Sequence, residues 1–186
     1  MKVDETRGLL TPVRYLPSAH CSDRPANMAI DMVVVHGISL PPAQFGTGSV
    51  EKFFCGTLDF SAHPYFATIE TLRVSAHLFI SRKGEITQFV PFSKSAWHAG
   101  QSFFQGRERC NDFSIGIELE GTDDIPYEKV QYQTLAETLR VLMEAYPFIT
   151  RERIVGHSDI APGRKTDPGS AFNWKELDCL LEFSQS

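Results

Sequence analysis

The chain has no Cys-x-x-Cys pair, no long apolar run and no excess of basic charge, and each absence removes a class of protein. Its four cysteines, Cys21, Cys55, Cys110 and Cys179, are scattered along 186 residues. Zinc ligation by paired cysteines is therefore excluded, and incidental reduced thiols are expected rather than disulfides. A transmembrane helix needs about eighteen or more consecutive apolar residues, and no such run occurs. The opening Met1-Lys2-Val3-Asp4-Glu5-Thr6-Arg7 carries acids and is followed by no apolar stretch, unlike a secretory signal. A cytoplasmic protein with no membrane partner is expected. Lys and Arg number 18 against 23 Asp and Glu, a net charge of −5, which speaks against a nucleic-acid backbone as the main partner.

What remains is a globular composition, 42% apolar and 22% charged, without the signature of disorder. One domain over residues 1–186 is expected, with no internal repeat or linker. Met32-Val33-Val34-Val35 is a β-branched run that ends at His36-Gly37, so it predicts a buried strand with a histidine at its carboxyl end. The proline- and glycine-rich residues after it predict a loop, and residues 37–48 are a candidate mobile lid. Residues 49–55 predict a short helix with Ser49 as its cap. Val74 to Ile80 and Glu85 to Val90 flank Ser81-Arg82-Lys83-Gly84 and predict a hairpin. From Phe113 to Glu120 apolar residues alternate with Ser114, Gly116, Glu118 and Glu120, which puts the two glutamates on one face of a strand. Helical spacing of Val130, Leu135, Leu139, Leu142 and Met143 predicts the longest helix over 127–146, ended by Pro147. Ile154-Val155 predicts a brief strand, and Asn173 is placed to cap a last helix through Leu177 and Leu181. The order predicts an α+β fold: a single domain with a central mixed β-sheet flanked by helices.

The segment from Gly156 to Gly169 holds His157, Lys165 and Asp167 together with Pro162, Gly163 and Pro168. These breakers predict a shaped loop, with no regular helix or strand between His157 and Asp167. A catalytic zinc takes three protein ligands from histidine and carboxylate and leaves a fourth position open. His36 and His157 each follow an apolar strand, and Asp167 can supply the carboxylate. On spacing alone, two hydrogen-bonding loop histidines and a capping aspartate explain the same pattern, and His77 and His98 are rival ligands. Glu118 is a candidate proton acceptor beside such a metal, or else an acid on a solvated strand face. Lys165 could hold a developing oxyanion, or be an ordinary surface lysine. Trp97 in Ala96-Trp97-His98-Ala99-Gly100 could form a platform for a sugar or peptide, and Arg73, Arg107 and Arg164 could pair with carboxylates.

Several stretches together carry a resemblance: His36-Gly37-Ile38-Ser39-Leu40-Pro41-Pro42, Ala62-His63-Pro64-Tyr65-Phe66, Arg73-Val74-Ser75-Ala76-His77, Ala96 to Gly100, Gln105 to Gly121 and Arg164-Lys165-Thr166-Asp167-Pro168-Gly169. Over nearly the whole chain the sequence resembles the zinc amidase family related to peptidoglycan recognition proteins, and within it the cytosolic 1,6-anhydro-N-acetylmuramoyl-L-alanine amidases of peptidoglycan recycling. The resemblance implies a zinc cofactor on His36, His157 and Asp167, a catalytic carboxylate at Glu118 and an oxyanion-side lysine at Lys165. It implies substrate contacts at Arg73, Trp97 and Arg164, and as substrate a small anhydro-muramyl peptide cut between the lactyl group and L-alanine. The pattern departs at Gly37, where an asparagine commonly follows the first histidine of the family. A binding module that grips peptidoglycan fragments without cutting them is the main alternative, and the retained histidines, aspartate, glutamate and lysine argue against it. An exported amidase acting on polymeric wall is the other, disfavoured by the acidic start.

Overall fold

The β-branched run at residue 32 becomes the second strand of the main sheet. In a computed structural model of the chain, described over residues 1–182, that sheet has six strands: β1 (Arg14–Tyr15), β2 (Met32–Ile38), β3 (Leu78–Ile80), β4 (Ile86–Gln88), β5 (Ser114–Glu120) and β6 (Ile154–Gly156). Their spatial order is β6-β2-β5-β3-β4-β1. The first four of these neighbours run parallel, β4 is antiparallel to β3, and β1 pairs parallel with β4, so the sheet is mixed. Five α-helices among the described residues accompany it: α1 (Ser49–Phe54), α2 (Pro64–Thr68), α3 (Lys129–Ala145), α4 (His157–Ile160) and α5 (Trp174–Glu182).

Alternation along the strands sorts the two faces. Val33 and Val35 of β2, Leu78 and Ile80 of β3, and Ile115, Ile117 and Leu119 of β5 meet Leu135, Leu139 and Leu142 of α3 and Leu177 of α5 in the larger core. The intervening residues point the other way, and there Met32 and Val34 pack with Phe113 and Ile160. Every residue of β5 is buried, so the glutamates at its end do not lie on a solvated face. A third cluster holds Phe53 and Phe54 of α1 against Phe79, Phe89 and Leu40.

The long helix α3 follows the expected apolar stripe, with Val130 as the exception at 39% exposure. Gln131 folds back to accept the Glu128 backbone N–H at 3.0 Å, and Asn173 Oδ1 accepts the Glu176 N–H at the start of α5. Four expectations are corrected. The helix over 49–55 starts with Ser49 as a buried first residue, and its cap is Gly48 at a φ of 71°, a conformation that glycine adopts without the Cβ penalty. The hairpin strands are shorter than the sequence suggests, ending in a turn where Gly84 has a φ of +77°. One helical turn, α4, opens the segment after β6, because Pro162 and Gly163 come only after it and Asp159 Oδ2 accepts the Gly156 N–H at 2.7 Å. The candidate lid also begins later than expected, since Gly37 and Ile38 belong to β2.

Candidate metal centre

Parallel pairing delivers the candidate groups to one edge of the sheet. His36 in β2 lies directly opposite Glu118 in β5, and Gly156 at the end of β6 pairs with Val35, so His157 follows at the same edge. The carboxyl ends of parallel strands are where ligands bind in open sheets of this kind. Asp167 returns to this edge because the Ser158 N–H donates to the Asp167 carbonyl at 3.0 Å, closing the loop from His157. On its other side the Tyr127 hydroxyl donates to the Pro168 carbonyl at 2.9 Å. A Cβ at Gly37 would come within 2.2 Å of that hydroxyl, so Tyr127 fills the space beside the first histidine.

Three donor atoms converge. His36 Nδ1 is 3.0 Å from both His157 Nδ1 and Asp167 Oδ2, and His157 Nδ1 is 3.1 Å from the same oxygen. Among the described residues this is the one group of three with metal-binding spacing. Two imidazole nitrogens and a carboxylate oxygen at these separations fit a tetrahedral zinc, whose ligand bonds of about 2.0–2.1 Å put donors roughly 3.3 Å apart. Burial pushes His36 down to about 4, against the raising influence of Asp167, so the ring is neutral as a metal ligand must be. For Asp167, burial alone would raise the carboxyl, but the contacts with His157 and His36 outweigh it and hold it well below the usual range.

The triangle lies in a cleft of about 500 Å³ that is also lined by Glu118, Lys165, His98, Ser39, Tyr65 and Leu72. Glu118 is buried, and its Oε2 has no hydrogen-bond partner among the described residues. Burial first, and then the Asp167 carboxylate, push its carboxyl well above the usual range, with Lys165 acting against them. A carboxyl with a raised affinity for a proton is suited to taking one up and giving it back.

The other residues singled out from the sequence stand elsewhere. Arg73 Nη1 donates to the Glu70 and Leu72 carbonyls at 2.7 and 2.9 Å. Trp97 stacks on His20 and donates from Nε1 to Ser22 Oγ. Arg164 donates to the Ala99 and Gln101 carbonyls at 2.7 and 2.6 Å, and Arg107 pairs with Asp31 while covering the Phe113 ring. None of the four lines the cleft. His77 is a fully buried histidine whose Nδ1 accepts the Gly116 N–H and whose Nε2 faces the Lys94 carbonyl at 2.9 Å. His98 lies outside the donor triangle, with Nδ1 2.9 Å from His36 Nε2. Reasoning from the sequence missed this supporting position, and the Ala99 carbonyl that faces His157 Nε2 at 3.2 Å.

The family model for N-acetylmuramoyl-L-alanine amidase matches residues 26–170. The chain is 55% identical over 172 residues to the 1,6-anhydro-N-acetylmuramyl-L-alanine amidase AmpD of Haemophilus influenzae, covering 92% of this chain and 94% of that one. A crystal structure of a selenomethionine AmpD derivative superposes with a TM-score of 0.93 at 53% identity, over 97% of this chain and 99% of that chain. The amidase AmiD of Escherichia coli, solved with the substrate anhydro-N-acetylmuramic acid-L-Ala-D-γ-Glu-L-Lys, is similar at a TM-score of 0.59 and 30% identity, over 87% of this chain and 65% of that chain. The chain belongs to the N-acetylmuramoyl-L-alanine amidase family.

Proposed function

We propose that the chain is a zinc-dependent amidase that hydrolyses the bond between the lactyl group of 1,6-anhydro-N-acetylmuramic acid and L-alanine in small muropeptides, in cytosolic peptidoglycan recycling. The observation that carries this reading is the triangle of His36, His157 and Asp167 donor atoms, 3.0–3.1 Å apart, in the same cleft as Glu118 and Lys165. The substrate assignment rests on the 55% identity to AmpD over nearly all of both chains. No helix among the described residues is long and apolar enough to cross a membrane.

His36, His157 and Asp167 would hold the ion. Zinc held there would supply Lewis acidity, polarising the scissile carbonyl and easing loss of a proton from the attacking water. Glu118 takes the proton of the attacking water on its carboxylate, which its raised affinity for a proton favours. The same carboxyl then returns that proton to the departing nitrogen of L-alanine. Lys165 stands at the exposed lip of the cleft, and its ammonium stabilises the negative charge that develops on the lactyl carbonyl oxygen. Arg73, Trp97 and Arg164, expected as substrate contacts, lie outside the lining of the cleft, and Arg164 instead holds the Ala99 carbonyl that faces His157.

An assay of L-alanine-terminated peptide release from anhydro-muramyl-tripeptide, run beside intact sacculi, tests the substrate assignment. Turnover of the small substrate and not of the polymer is expected. Equal turnover of both would assign the chain to wall degradation instead.

A further inference from the structure

A chain of buried hydrogen bonds runs away from His36, and its protons can be placed from the partners. Ser114 Oγ is 2.6 Å from the Cys110 carbonyl, which can only accept, so the hydroxyl hydrogen is spent there. A lone pair of Ser114 Oγ therefore faces His98 Nε2 at 3.1 Å, and Nε2 must carry the hydrogen. A neutral imidazole carries one such hydrogen, which leaves His98 Nδ1 bare. That bare nitrogen is 2.9 Å from His36 Nε2, so His36 donates from Nε2 and turns a lone pair on Nδ1 into the donor triangle.

The next residue does the same for the second histidine. The Ala99 carbonyl, 3.2 Å from His157 Nε2, accepts from that nitrogen and leaves His157 Nδ1 bare. Asn111 Oδ1 holds both residues in place by accepting the His98 and Ala99 N–H groups at 3.1 and 2.8 Å. The His98 ring lies on the backbone of β5, where a Cβ at Gly116 would come 2.4 Å from His98 Cγ. This close approach accounts for a glycine in the middle of a buried strand.

We propose that His98 is a positioning residue for the metal centre: with the Ala99 carbonyl beside it, it fixes which ring nitrogen His36 and His157 turn toward the ion. The inference rests on the zinc reading of the triangle and adds a partner layer to it. Outer hydrogen bonds of this kind raise metal affinity by about 10- to 100-fold.

The test combines long-range proton–nitrogen NMR of histidine-labelled protein with zinc titration against a competing chelator. Metal-free wild-type protein is expected to show His36 protonated at Nε2 and bare at Nδ1. His98→Phe, which keeps a ring without its nitrogens, is expected to mix the two His36 tautomers and to weaken zinc binding by about 10- to 100-fold. His98→Gln keeps one acceptor and one donor and is expected to recover most of that loss. Wild-type His36 protonated at Nδ1 overturns the inference, as does a folded His98→Phe that binds zinc within about twofold of wild type. Should His98→Phe not fold, the wild-type spectrum and His98→Gln still decide. A wild-type chain that takes up no zinc overturns the metal reading instead, and the His36 tautomer in metal-free protein then judges the hydrogen-bond chain separately.

Discussion

At the scale of single residues the account turns on two side chains that do not bind the metal. Glu118 is buried beside a second carboxylate, and Glu118→Gln is expected to lower kcat by about 100- to 10,000-fold while zinc content stays that of wild type. Near-normal turnover in that variant would remove Glu118 from the reaction. Lys165 lowers the Glu118 carboxyl as well as facing the cleft, so Lys165→Met has two readouts. Turnover is expected to fall by about 100- to 1,000-fold. In addition, the acid limb of the pH–rate profile moves to higher pH, because the base must be ionised to act and loses the neighbour that favours ionisation. The sequence brought these residues into view unequally. His36 and His157 follow apolar strands, which their position reveals. Nothing in the spacing separates a ligand from the ring behind it, and His98 is distinguished from His36 only by which nitrogen faces which partner.

At the scale of elements, the alternation in β5 is what makes the site. Ile115, Ile117 and Leu119 bind the strand to α3, and that packing turns Ser114, Gly116, Glu118 and Glu120 to the other face. Leu139 is fully buried at the α3 contact, and Leu139→Ala is expected to cost about 2–5 kcal/mol in urea unfolding. Glu120 pins the loop after β2, accepting the Gly46 N–H through Oε1 and the Arg82 N–H at 3.0 Å through Oε2. Glu120→Ala is therefore expected to speed amide exchange over residues 39–48 and to leave exchange in α3 unchanged, and equal exchange in the loop would show that it is held elsewhere. The strands β2 and β5 and helices α3 and α5 were legible because a buried face imposes a period. The N-terminal hairpin of Lys2–Asp4 and Leu9–Thr11 was not, since strands of three residues leave no period to read. The turn α4 was hidden for a different reason: its hydrogen bonds are completed before the breakers Pro162 and Gly163 begin.

At the scale of the whole molecule, the sheet carries titratable groups in its interior as well as at its edge. Burial holds His77 down at about 3, against an ordinary 6.5, with Arg24 adding to the effect. The unfolded chain therefore binds one more proton here between those pH values, and stability falls as pH drops from about 6.5 toward 3, by on the order of 1.4 kcal/mol per unit from this group. His36 is held down in the same direction, so urea unfolding of metal-free protein between pH 7 and 5 is expected to show at least that slope, and His77→Gln to make it shallower without removing it. The mixed sheet with helices on its faces agrees with the arrangement expected from the order of elements, and the match to AmpD over nearly the whole chain agrees with it too. The joining of Asp167 to His36 across 131 positions was not derivable from spacing, because it depends on backbone hydrogen bonds that close a loop. The central claim is that this triangle holds the metal that the reaction needs. Metal analysis beside an assay on anhydro-muramyl-tripeptide tests it most directly, with wild type, chelator-stripped protein and His157→Ala compared. The account predicts about one zinc per chain with amide cleavage in the wild type, loss of both on stripping and in His157→Ala, and recovery when zinc is returned to the stripped wild type. Full turnover by protein without metal would contradict it.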